Sequence, residues 1–79
     1  MIRAQMQLDG RLLTEREREV LRMIADGDTS RQIGYKLGIS YKTVDAHREN
    51  IKKKLQVNSI AHLVRYAILF GLVRPEFAA

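Results

Sequence analysis

Cysteine is missing from all 79 residues, which excludes disulfides, thiolate catalysis and cysteine-ligated zinc. That suits a reducing cytoplasm. No apolar run approaches the ~20 residues needed to cross a bilayer. Met1 to Gly10 mix charged, polar and apolar residues and lack the apolar core of a signal peptide. We therefore expect a soluble, cytoplasmic protein without a membrane partner. Alternation of the kind that marks β-strands is also lacking, and the one proline, Pro75, stands near the end. No nucleophile accompanies a suitable base, and no phosphate loop, cofactor fingerprint or metal-ligand spacing occurs. Neither an enzyme nor a cofactor is expected. The length suffices for one small domain and not for two. A domain of this size buries only roughly 60–65% of the surface its unfolded chain exposes, so its stability should be modest.

What the chain does have is positive charge in one place. Residues 31–54 hold seven cations (Arg31, Lys36, Lys42, Arg48, Lys52, Lys53, Lys54) against Asp45 and Glu49. The rest of the chain is balanced, so this segment carries the whole net charge of +5. Such a concentration is the footprint of a polyanion-binding surface, although a solvated basic helix face would look the same.

Four short helices account for the remaining pattern. Residues 1–10 end in the turn signal Asp9-Gly10 and read as a linker or disordered N-terminus. Thr14-Glu15-Arg16-Glu17 forms a capping box that opens a helix over about 15–26, with Val20, Leu21 and Ile24 at helical spacing and Gly27 as its stop. A second helix should run from about Ser30 to Leu37, with Ile33 and Leu37 on its apolar face and Gly38 ending it. Ser40 caps a third, 41–55, whose apolar stripe is Val44, Ile51 and Leu55. Ser59 caps a fourth, about 60–70, and 75–79 read as a loose tail. The expected architecture is an all-α four-helix bundle occupying residues 11–74.

The second and third helices, joined by Gly38-Ile39-Ser40 with the third one basic, meet the description of a helix-turn-helix. The helices must cross closely, which suits a small residue such as Gly34, and Ile39 must plug the corner. A generic helical hairpin would satisfy the same cues.

Several separated motifs add a resemblance. Leu13-Thr14-Glu15-Arg16-Glu17-Arg18-Glu19-Val20-Leu21 resembles the opening of the LuxR/GerE helix-turn-helix domain. Ile39-Ser40, Thr43-Val44, His47-Arg48, Asn50-Ile51 and Lys54-Leu55-Gln56-Val57 are similar to the rest of its pattern, followed by Leu63 and Ala67. The resemblance covers about residues 12–73. The ending Ser59-Ile60-Ala61-His62-Leu63-Val64 and the acid Asp45 look most similar to FixJ/NarL-like response-regulator output domains. It implies sequence-specific binding of double-stranded DNA by a bacterial transcription regulator, within a two-component system. Two positions depart from the family. Gly34 replaces a usual Ala, weakening the second helix by about 1 kcal/mol, and Ile60 replaces a frequent Arg, removing a phosphate contact.

Stepping 100° per residue from Val44 places Lys42, Ala46, Glu49 and Lys53 opposite the buried stripe, with Asp45 and Asn50 at the edges. We expect Lys42, Asp45, Ala46, Glu49 and Lys53 to face the major groove. The lysines would donate to guanine or phosphate, the acids would accept from cytosine, and Ala46 would touch a thymine methyl. Asp45 could instead serve the helix dipole, and Glu49 could pair with Lys53 four residues on. Phosphate contacts are expected from Arg31, Ser40, Tyr41, Thr43, Arg48 and Lys52. The resemblance also marks Thr43, and Tyr41 could equally be a packing residue. His47, at the border of the stripe, reads as a half-buried structural residue, and His62 as a surface or interface residue.

The fourth helix is apolar almost all round. With Leu63, Ala67 and Phe70 assigned to the core, Val64 and Ile68 are left as a homodimer interface on DNA, which the resemblance also implies. Leu72, Val73 and Phe77 could instead fold back over that face. RNA polymerase is a further candidate partner. Two other readings stay open: a basic helical adaptor that grips an acidic protein, and a sigma-factor-like module contacting the polymerase. At this length the chain holds no receiver or ligand-binding domain, so it is either part of a larger regulator or a freestanding member.

Overall fold

The computed structural model describes residues 13–72. Four helices follow in order: α1 Glu15–Ala25, α2 Ser30–Leu37, α3 Tyr41–Leu55 and α4 Ile60–Leu69. No strand occurs among the described residues, and the all-α architecture matches the sequence expectation. Two boundaries are corrected by one residue each. Asp26 is the C-cap of α1 and Phe70 that of α4, so neither belongs to its helix. The expectations for 1–10 and 75–79, and for Val73 and Phe77, fall outside the described residues.

Every helix starts on a hydroxyl cap: Thr14, Thr29, Ser40 and Ser59. Thr14 Oγ1 accepts from the Glu17 amide at 3.1 Å, and Glu17 Oε1 accepts from the Thr14 amide at 2.9 Å. Thr29 and Gln32 form a second capping box with bonds of 3.1 and 2.8 Å, and the helix begins at Ser30 as the sequence suggests. Each cap stabilises its helix by about 1 kcal/mol. That matters where α2 has only eight residues and cannot stand alone.

The core collects one stripe from each helix. Val20, Leu21 and Ile24 of α1 meet Ile33 of α2, Val44, Ile51 and Leu55 of α3, and Leu63 and Ala67 of α4, with Leu13 closing one end. Leu37 and Phe70, expected in the core, are half-buried at its margin, as is Leu72. α1 packs on α3 and α4, whereas α2 packs chiefly on α3.

Of the described glycines, Gly34 is the one with other backbone packed against it. A Cβ built there would sit 2.7 Å from the Ile39 carbonyl oxygen and 3.3 Å from the Tyr41 amide nitrogen. Those atoms belong to the backbone of the turn and cannot swing aside like a side-chain tip. An alanine would force α2 and the turn apart, so glycine's cost in helix propensity is set against a close crossing. Gly38 completes the turn at φ 71°, a left-handed conformation that glycine adopts without a Cβ penalty. The Ile39 amide then returns to the Gly34 carbonyl at 3.0 Å.

Glu17 does more than cap. Its residue surface is only 4% exposed, and Lys54 Nζ, from the last turn of α3, donates to Oε1 at 2.8 Å. Burial alone would raise the Glu17 pKa. The Lys54 hydrogen bond and charge, with the Thr14 amide and hydroxyl, outweigh it and hold the carboxyl below its ordinary 4.5. A depressed pKa contributes stability above the unfolded value that is lost as pH falls through the folded one. Glu17→Gln keeps the shape of the cap and removes the charge. It should cost about 1–2 kcal/mol at neutral pH, discounted because the half-exposed Lys54 can resolvate. Thermal melts of parent and variant should converge as pH drops below about 4. A gap that stays constant on acidification would contradict this role.

Candidate nucleic-acid interface

α2, the Gly38-Ile39-Ser40 turn and α3 form a helix-turn-helix whose second helix exposes one long face. Val44, Ile51 and Leu55 anchor α3 from below. Their burial turns Lys42, Asp45, Ala46, Glu49, Asn50 and Lys53 outward, and all six are exposed. The helical wheel thus placed each expected base-facing residue on the solvent side. A helix of 15 residues is about 22 Å long, and its diameter with side chains, about 10–12 Å, fits a major groove about 12 Å wide.

The structure divides these residues by what already holds them. Ser30 Oγ, at the start of α2, donates to Asp45 Oδ1 at 2.6 Å. The Asp45 carboxylate therefore ties the two helices together, and only its remaining lone pairs face outward. Glu49 pairs with Lys52 at 2.9 Å, three residues on. The alternative pairing of Glu49 with Lys53 is not the one formed. Lys53 and Lys42 keep no ion pair among the described residues.

The seven cations of the basic segment fall into two groups. Lys36 is held by Asp28 at 2.7 Å, Lys52 by Glu49 and Lys54 by Glu17. Arg31, Lys42, Arg48 and Lys53 form no ion pair among the described residues. Arg48 is half-buried beside the stripe. Arg31 lies with its guanidinium carbon 4.5 Å from the centroid of the Tyr41 ring. Sequence spacing could not reveal this stack, because the two residues belong to different helices that the turn brings together.

The remaining phosphate candidates cluster at the N-terminus of α3. Ser40 Oγ accepts from the Thr43 amide at 3.1 Å and lies 3.0 Å from Thr43 Oγ1. The two hydroxyls form one exposed polar pair beside the helix's free N–H groups, where an anion is favoured. His47 is half-buried, as expected. His62 is exposed, its Nδ1 2.9 Å from the Ser59 hydroxyl. Among the described residues, no group of three or more His, Asp or Glu side chains could hold a metal ion. Nor is any helix there long and apolar enough to cross a membrane.

On α4 the expected interface residues are only partly free. Val64 packs against the core, and Ile68 is half-buried without joining it. The most exposed large apolar side chains of the helix are Leu69, at 54%, and Ile60, at 46%.

This geometry meets a family pattern. The profile described as bacterial regulatory proteins, luxR family, matches residues 11–67. The chain belongs to that family. It is 44% identical over 61 residues to the transcriptional regulatory protein MctR of Rhizobium johnstonii, covering 77% of this chain and 28% of that protein. It is 43% identical over 70 residues to the transcriptional regulatory protein FixJ of Rhizobium meliloti, covering 89% of this chain and 32% of that one. An uncharacterized response regulatory protein of Escherichia coli, YgeK, is 48% identical over 60 residues, covering 76% and 41%. The chain thus spans between about a quarter and two fifths of the length of these relatives. No solved structure matches it. The helix-turn-helix described above is a LuxR-family DNA-binding domain.

The Glu49–Lys52 pair generates a prediction. Glu49→Gln removes a carboxylate that repels phosphate and releases Lys52. Overall duplex affinity should rise, and discrimination at one base pair should fall by about 1–3 kcal/mol. Sites selected by parent and variant from the same duplex pool provide the comparison. Identical selected sites would reduce Glu49 to a surface acid.

Proposed function

We propose that this chain is the output domain of a bacterial transcription regulator and that α3 reads duplex DNA in the major groove. The observation that carries the reading is the long exposed face of α3, flanked by four cations that no acid of the described chain neutralises. In this arrangement Lys42, Ala46, Glu49 and Lys53 meet base edges, with Asp45 contributing from the Ser30-tethered edge. Arg31, Ser40, Thr43, Arg48 and Lys52 hold phosphates, Lys52 by exchanging its bond to Glu49. Tyr41 lies on the same rim. Nothing in this mechanism calls for a catalytic step, and it fits a cytoplasmic protein. RNA polymerase fits as a second partner, reached once the domain is seated on DNA.

Two copies bind together through α4. The outer face of that helix combines Ile68 and the free edge of Val64 with exposed Leu69, more apolar surface than one small domain covers by itself. A two-fold axis would bring each helix against its counterpart and set half-sites about one helical turn, roughly 10 base pairs, apart. Ile68→Glu places like charges across that axis, where they repel and lose water. Titrations of single and paired half-sites test both claims. The parent should bind paired sites cooperatively, with log K falling steeply against log salt. Ile68→Glu should bind single sites normally, stay helical by circular dichroism and lose the cooperativity. An unfolded variant would place Ile68 in the core, and retained cooperativity would remove α4 as the interface.

A further inference from the structure

We propose that Tyr41 is a positioning residue whose ring holds the Arg31 guanidinium in place to grip a DNA phosphate. The inference rests on the duplex-binding reading above and gives Tyr41 a role distinct from a direct contact. Three observations carry it. The Arg31 guanidinium carbon lies 4.5 Å from the ring centroid, within the ~6 Å over which a cation is attracted to an aromatic face. Both residues are exposed, Tyr41 at 39%, so the stack forms part of the outer surface and is not needed to fill the core. Arg31 also has no carboxylate partner among the described residues, leaving the ring as the group that orders it.

The placement follows from the fold. Arg31 stands in the first turn of α2, and Tyr41 is the first residue of α3. Gly34, one turn along α2, brings that helix against the Ile39 carbonyl and the Tyr41 amide. The close crossing is what carries the guanidinium to the ring. Stacking occupies one face of the planar guanidinium and leaves its N–H edges free for the forked bonding that a phosphate accepts. A free arginine must give up rotamer freedom when it binds, whereas a stacked one has given up much of it already. The phosphate held would lie near the N-terminus of α3, where Tyr41 stands as its first residue.

A double-mutant cycle tests the proposal on a mixed-sequence duplex of about three helical turns, with folding followed by circular dichroism. Arg31→Ala should weaken binding and flatten the salt slope by roughly 0.9. Tyr41→Leu keeps an apolar side chain without a π face. It should weaken binding about two- to five-fold with the slope nearly unchanged, because no charge has been removed. Tyr41→Phe should restore the affinity that Tyr41→Leu loses. With Arg31→Ala already present, Tyr41→Leu should have no further effect. Tyr41→Gln repeats the test if the leucine variant fails to fold.

Equal losses from Tyr41→Leu with and without Arg31 would overturn the proposal, since the ring would then act independently. A loss in Tyr41→Phe as large as in Tyr41→Leu would also overturn it and make the hydroxyl the contact. A parent that shows no duplex binding would remove the DNA reading itself. A parent that binds while the cycle is additive would remove only the role of Tyr41.

Discussion

Everything on the recognition face depends on one backbone approach, that of α2 at Gly34 to the Ile39 carbonyl. A Cβ at that point would lie 2.7 Å from the oxygen, so α2 meets the turn before α3 too closely for a side chain there without a shift of the backbone. The closeness fixes where α3 starts relative to α2. It sets the Ser30 hydroxyl against Asp45 and Arg31 over Tyr41, two contacts between residues ten or more positions apart. A looser crossing would leave α3 equally helical and equally basic. It would lose the fixed relation between the residues that grip phosphates and those that face bases, and register on a duplex depends on that relation.

Electrostatics then sorts a basic segment into structural and available charges. Lys54 is used inside the fold, where it stabilises a buried Glu17 that also caps α1. One carboxylate thereby links the start of α1 to the end of α3. Lys36 and Lys52 are restrained at the surface by Asp28 and Glu49. Exposed pairs of this kind contribute little stability and can exchange an acid for a phosphate at small cost. The four cations of that segment that pair with no acid among the described residues lie on or beside the face that the buried stripe of α3 turns outward.

Much of the fold was legible because its signals are local. Thr14 and Glu17, Val44, Ile51 and Leu55, and Gly38 each announce a cap, a stripe or a stop within about three helical turns. The opposite face of α3 followed by geometry once Val44 was placed inside. Contacts between helices were not legible. Glu17 and Lys54 are 37 residues apart, and nothing in either neighbourhood points to the other. The same holds for Ser30 with Asp45, which changes how that acid can serve the interface. The start of α2 near Ser30 was legible, but its cap was not, because Thr29 and Ser30 are equally good caps by residue type and the Gln32 side chain decides between them. On α4 nearly every residue is apolar, so periodicity could not separate core from surface, and Val64 proved to touch both.

The central claim is that α3 reads base sequence in duplex DNA. Selection of binding sites from a pool of random duplexes, at one fixed salt concentration, tests it most directly. The account predicts that successive rounds converge on a short defined motif, bound about 4–10 kcal/mol more tightly than unselected duplex. A pool that is retained through its phosphates yet never departs from random sequence would contradict the account.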